Sequence, residues 1–148
     1  MLTIHAADEL RLSWDAEAVR DGAVAVRGDR VVGAGLLGEL LERFPGARLR
    51  RWPGVLGPAL VHEGPLPQAP SPRERVHAVL KSGSTAVLER YAGTPDLRAA
   101  AVRNEVAVLP RARETAIADT GRADLAVFDT DGTCVATVCA GRLVHRRR

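Results

Sequence analysis

The first third of the chain alternates apolar and polar residues in short runs, which is the period of half-buried strands. Leu2–Ala6 and Leu10–Ser13 are the first strand candidates. Ala23–Arg27 and Arg30–Gly33 then flank Gly28-Asp29. Two such runs joined by residues that tolerate positive φ predict a hairpin with a primed turn. Leu36–Phe44 switches to helical spacing and is closed by Pro45-Gly46. Ala47–Arg51 and Val55–Val61 return to strand spacing, and Trp52-Pro53-Gly54 between them reads as a break.

Residues His62–Ala69 are rich in proline and glycine and predict a loop. Ser71-Pro72-Arg73-Glu74 is a capping box with proline at the first helical position, so a helix begins there and runs to Gly83. Thr85–Arg90 reads as a strand, Thr94-Pro95-Asp96 opens a second helix to about Arg103, and Val106–Leu109 is a further strand. With Val55–Val61 this gives a β-α-β-α-β order, the pattern of parallel pairing. A polar linker, Arg111–Arg122, precedes a second hairpin, Asp124–Asp129 and Cys134–Cys139 about an Asp131-Gly132 turn. Arg142–His145 is the last strand.

Composition narrows the class. The 148 residues are 46% hydrophobic and 26% charged, the profile of one folded domain with a real core. The net charge of +3 equals the contribution of Arg146, Arg147 and Arg148, which read as a short solvated tail. Lys81 is the only lysine, and the arginine and alanine bias points to a GC-rich bacterial genome. No stretch approaches the roughly 18 apolar residues of a membrane span, and the N-terminus lacks a basic n-region. Cys134 and Cys139 fall at odd spacing in one strand, on opposite faces, and cannot pair with each other. Reduced cysteines and no leader predict the cytoplasm.

Both ends of the chain carry recognisable patterns. The first is Asp21-Gly22-Ala23-Val24-Ala25-Val26-Arg27-Gly28-Asp29-Arg30-Val31-Val32-Gly33. The second is Gly121-Arg122-Ala123-Asp124-Leu125-Ala126-Val127-Phe128-Asp129, followed by Val138-Cys139-Ala140-Gly141-Arg142-Leu143-Val144. In that order they resemble the amidohydrolase superfamily, in particular its imidazolonepropionase and cytosine-deaminase-like branch. Lys81-Ser82-Gly83-Ser84-Thr85-Ala86-Val87 is similar to the Gly-Thr-Thr second barrel strand of that family. The resemblance implies a composite β domain built from both ends, beside a metal-binding TIM barrel.

The departures from the family pattern bear on function. Family members end the first barrel strand with Pro-Gly-Leu-Val-x-x-His-x-His, whose histidines hold the metal. Here Pro58-Ala59-Leu60-Val61-His62-Glu63-Gly64-Pro65-Leu66 puts Gly64 and Leu66 at the histidine positions. Shifting the loop to make His62 a ligand still leaves Gly64 at the second position. Between Leu109 and Gly121 there is no room for the remaining units of a barrel of about 250 residues. A catalytic zinc needs three protein ligands and an open position. The four histidines, His5, His62, His77 and His145, are scattered, with no His-x-His and no His-Glu-x-x-His. Catalytic candidates therefore reduce to His62, Glu63, Glu89 and Asp119, with an ordinary polar loop or surface carboxylate as the rival reading of each.

Gly33-Ala34-Gly35-Leu36-Leu37-Gly38 spells a dinucleotide fingerprint between a strand and a helix, so Gly33, Gly35 and Gly38 are cofactor-binding candidates. The preceding strand is the return arm of a hairpin, and Arg48, Arg50 and Arg51 stand where a ribose-binding acid belongs. Arg43, Arg48, Arg50 and Arg51 with Trp52 also raise nucleic acid, against which stands the zero net charge outside the tail. The expected fold is α+β: a sandwich-like composite β domain from residues 1–66 and 117–148, with a βαβαβ remnant of a truncated TIM barrel at 67–116. The expected function is a binding or accessory relative of the amidohydrolases with no metal and no cofactor. The alternatives are a hydrolase of cyclic C–N bonds completed by a partner protein or second subunit, and a dinucleotide-binding module. A homodimer is expected, because opening a barrel exposes strand edges. No nucleic acid or membrane partner is expected.

Overall fold

In the computed structural model, which describes residues 1–147, the chain forms an eight-stranded sheet, a three-stranded sheet and three helices. β1 (Leu2–Leu10) is the centre of the large sheet. It pairs antiparallel with β3 (Gly22–Arg27) and with the two-residue β2 (Val19–Arg20), and parallel with β5 (Arg48–Pro58). β3 turns through Gly28-Asp29 into β4 (Arg30–Leu36), the hairpin that the sequence predicts. On the far side of β5 lie β9 (Leu125–Phe128), β10 (Cys134–Cys139) and β11 (Arg142–Arg146).

The sheet curls until its two ends meet. Val31 donates its backbone N–H to Gly121 O at 2.9 Å, Thr120 donates to Val31 O at 2.8 Å, and Ala123 donates to Asp29 O at 2.7 Å. Residues 120–123 thus cover the β4 edge, and Gly141 N–H bonds Ala123 O from the β10–β11 turn. Alternation along the strands then sorts two cores. Val24 and Val26 of β3 join Leu10, Val31, Leu56, Val127 and Val138 in the enclosed cluster. Ala23 and Ala25 face outward with Ile4 and Ala6, under Leu37 and Leu40 of α1 (Leu37–Arg43).

β6 (Leu60–His62), β7 (Ser84–Leu88) and β8 (Ala107–Leu109) form the parallel sheet, in that order. α2 (Pro72–Lys81) and α3 (Pro95–Arg103) are the crossovers. Ser71 Oγ accepts the Glu74 N–H and Thr94 Oγ1 accepts the Leu97 N–H, the N-caps expected from the sequence. α2 also rests on β10 and β11, where Thr137 donates its hydroxyl to Leu80 O at 2.7 Å. One cluster, including Leu66, Val76, Val79, Leu80, Val87 and Cys139, therefore joins the two sheets. No helix among the described residues is long and apolar enough to cross a membrane.

Five local expectations change, the first being that Val55–Val61 is not one strand but divides at Ala59 between β5 of the large sheet and β6 of the parallel sheet. Leu10 ends β1, and residues 12–16 form turns where Leu10–Ser13 suggested a separate strand. Trp52-Pro53-Gly54 does not break β5. The β1–β5 register slips between Ala7 and Glu9, so Pro53, which has no N–H, falls at a bulge where the ladder asks for none. Asp8 accepts the Gly54 N–H there at 2.9 Å. β7 stops at Leu88, and Glu89–Tyr91 form a 3-10 turn. Finally, Arg146 belongs to β11 and Arg147 pairs with Asp129, so these two arginines are not a free tail. Arg148 lies outside the described residues.

Candidate functional site

His62 closes β6 and is paired in register with Val87, two residues before Glu89. His62, Glu63 and Glu89 therefore collect at the C-terminal end of the parallel sheet, the end at which such barrels carry their chemistry. Asp119 does not join them; it sits exposed beside Thr120, on the strap that closes the large sheet. His62 Nε2 lies 2.9 Å from Pro65 O. A carbonyl only accepts, so Nε2 carries the proton and is committed to the loop. Gly64 has no side chain to offer, and Leu66 is 2% exposed, packed with Val76, Val79 and Leu80. Arg75 fixes this loop by donating to Leu66 O at 3.0 Å and Pro67 O at 3.1 Å. Among the described residues no three His, Cys, Asp or Glu side chains converge on one point. The donor set does not fit a catalytic metal.

Gly33 and Gly35 lie within β4, opposite Ala25 and Ala23. β4 is antiparallel to β3, whereas a dinucleotide fold needs a parallel strand at this place. A Cβ on Gly33 would come within 3.1 Å of Leu40 Cδ2, so that glycine admits α1 against the strand. Gly35 has φ +149, open to glycine alone, and Gly38 lies in α1, where a Cβ would meet nothing within 4 Å. α1 has seven residues and no side-chain cap at Leu36.

The sequence did not single out one enclosed polar space. A cavity of about 320 Å³ lies against the face of the parallel sheet that α2 and α3 leave uncovered. Leu60, Val61, Ala86 and Ala107 line it, and residues 113–116 of the linker roof it. Thr85, Arg122 and Asp124 add polar groups. Arg122 is held from three sides: Nε meets Asp124 at 2.9–3.0 Å, and Nη2 meets Glu105 O and Cys139 Sγ. Asp124 also accepts the Ala140 N–H at 3.0 Å, which ties this wall to the β10–β11 turn. Burial pushes the Cys139 thiol up to about 11 despite the nearby guanidinium, so it is a packed thiol and not a nucleophile. A wider neighbouring cleft of about 540 Å³ brings Glu63 to the rim. The only signal for this wall in the sequence was the Gly121-Arg122-Ala123-Asp124 pattern, which carried the resemblance but no stated role.

One buried titratable group stands apart from the cavity. His5 is 2% exposed, and Trp52 Nε1 donates to its Nδ1 at 3.2 Å. Burial first, and the Arg50 charge second, hold His5 neutral, with its pKa lowered to about 4.

Comparison of the sequence with protein-family models finds no match, and neither does comparison with curated proteins. The fold does have solved counterparts. Guanine deaminase from Bradyrhizobium japonicum matches 73% of this chain and 34% of its own, at TM-score 0.56 and 12% identity. The E. coli guanine deaminase matches 73% and 35%, at TM-score 0.54 and 14% identity. A triazine hydrolase from Arthobacter aurescens matches 72% and 34%, at TM-score 0.51 and 14% identity. These neighbours are hydrolases and deaminases of the amidohydrolase superfamily, and the chain shares their fold across the matched span. It spans about a third of the length of each, and about a quarter to 29% of the lengths of an aminofutalosine deaminase from Helicobacter pylori and an ochratoxinase from A. niger.

Proposed function

We propose that this chain is a binding or accessory relative of the amidohydrolases, of the imidazolonepropionase-like branch, that does not hydrolyse substrate on its own residues. The observation that supports this most directly is Leu66. It stands where the family places a metal-binding histidine, and it is buried in the cluster that joins α2 to both sheets. His62 has its Nε2 committed to Pro65 O, and Glu63 and Glu89 find no third donor among the described residues. The cavity over the parallel sheet, and not the C-terminal loops, is then the part of the fold suited to a ligand. The test is elemental analysis of the purified chain after incubation with zinc, manganese or iron, beside assays on guanine and triazine substrates. Less than about a tenth of an equivalent of metal, and no turnover, are expected. About one equivalent of zinc, lost on His62→Ala, would overturn the reading.

A further inference from the structure

In a closed barrel the interior is a packed core, filled by side chains from opposing strands. Here three strands meet a linker instead, and the space between them stays open as the cavity of about 320 Å³. Its size is at the lower end of the range for small-molecule pockets. The β6–β7 register slips at Thr85, which brings Thr85 and Ala86 to the same cavity. Thr85 is 4% exposed. No fully enclosed side-chain polar atom among the described residues lacks a hydrogen-bond partner, so the Thr85 hydroxyl, which makes no bond to them, opens onto the cavity. A polar group in so buried a residue is normally partnered, by protein, by water or by a ligand. Arg122 uses Nε and Nη2 within the protein and leaves Nη1 unbonded among the described residues. Arg113 is an exposed residue of the roof.

We propose that this cavity binds a small monocarboxylic acid. Its carboxylate meets the Thr85 hydroxyl and the guanidinium groups of Arg122 and Arg113, and its compact apolar body lies on Leu60, Val61, Ala86 and Ala107. Arg122 and Asp124 neutralise each other, and Asp124 also accepts the Ala140 N–H, so Arg122 offers the ligand its remaining Nη1 donor and not a net charge. Glu114, in the same roof, offsets the Arg113 charge, so the lining is neutral as a whole and a dianion finds no surplus cation there. The assignment rests on the reading of the chain as a binder and not a catalyst.

The test titrates the purified full chain with isobutyrate, isovalerate and benzoate, each beside its neutral amide, by calorimetry and backbone amide NMR shifts. The acids bind at least about tenfold more tightly than the amides, as expected for a charge-assisted contact. Shifts centre on Thr85, Ala86 and residues 113–116. Thr85→Val and Arg113→Gln each weaken the acids about tenfold. Arg113 lies on an exposed linker, so that variant keeps the fold even where Thr85→Val loses stability. No saturable binding by any of the three acids, or binding unmoved by both substitutions, overturns the site. A dimer that shields residues 59–61 and 85–86 would show a second copy as the occupant, and overturns it as well. Turnover of a guanine or triazine substrate would instead overturn the accessory reading and leave the binding result standing.

Discussion

Replacing Gly141 with alanine tests how the two ends of the chain hold together. Ala140 and Gly141 form the β10–β11 turn with φ 48 and 82, the positive pair of a primed hairpin turn. That turn docks against the Gly28-Asp29 turn of the β3–β4 hairpin. A Cβ on Gly141 would lie 1.8 Å from Gly28 O and 3.0 Å from Asp29 Cα. Both contacts are backbone, so no rotamer change relieves them, and the turns must separate. Separation strains the Gly141 N–H to Ala123 O bond at 2.9 Å and the Ala123 N–H to Asp29 O bond at 2.7 Å. The left-handed conformation costs an alanine about 1 kcal/mol, and forced repacking with weakened hydrogen bonds adds roughly 2–3 kcal/mol.

Gly132→Ala is the control. Gly132 also has positive φ, at 80, but a Cβ there meets nothing within 4 Å, so only the cost of about 1 kcal/mol remains. Urea unfolding of both variants, followed by tryptophan fluorescence, measures the difference. Gly141→Ala should lose roughly 2 kcal/mol more than Gly132→Ala. Equal losses in the two variants would refute turn-to-turn docking as the link between the chain ends.

His5 gives stability a pH dependence of known sign. Its pKa is about 4 in the fold against 6.5 as a free side chain, so the stabilisation is complete above pH 6.5 and declines as pH falls towards 4. The total is roughly 3 kcal/mol, and His5→Gln should flatten that part of a urea-midpoint profile against pH. Gly35→Ala should cost about 1 kcal/mol through its φ of +149, while NAD and NADP leave the unfolding midpoint of the unmodified chain unchanged. The outer edge of β8 predicts self-association away from residues 59–61 and 85–86, and sedimentation at micromolar concentration should give twice the 15.8 kDa chain mass. A clean monomer would contradict that expectation.

The elements that were legible in the sequence are those specified by neighbours along the chain. Gly28-Asp29 and Asp131-Gly132 announce their hairpins because each turn needs positive φ at its glycine, and Ser71 and Thr94 announce α2 and α3 because a cap acts within one turn. Expectations failed where a distant partner decides. Pro53-Gly54 looks like a break until Asp8, on another strand, supplies the bulge and the hydrogen bond that carry β5 through it. Arg147 looks like a solvated tail until Asp129 stands beside it. Thr85 enters the sequence reading only as part of the Gly83-Ser84-Thr85 strand pattern, because its place on the cavity depends on a register slip against β6 and on a linker folded over it.

The same distinction connects the buried Leu66 with the open cavity. A histidine at position 66 needs its side chain directed to the barrel axis, with neighbouring strands to supply further ligands. Here three parallel strands lie beside the large sheet, and α2 packs on β7, β10 and β11 at once. Leu66 fills that junction with Val76, Val79 and Leu80, and a polar side chain there would be buried without a partner. The opposite face of the parallel sheet meets no further strand of that sheet among the described residues, and residues 113–116 roof it without filling it. On the relation proposed above, the three-stranded parallel sheet links two features: core at position 66, where a family member would hold its metal, and a pocket over the face that further barrel strands would fill.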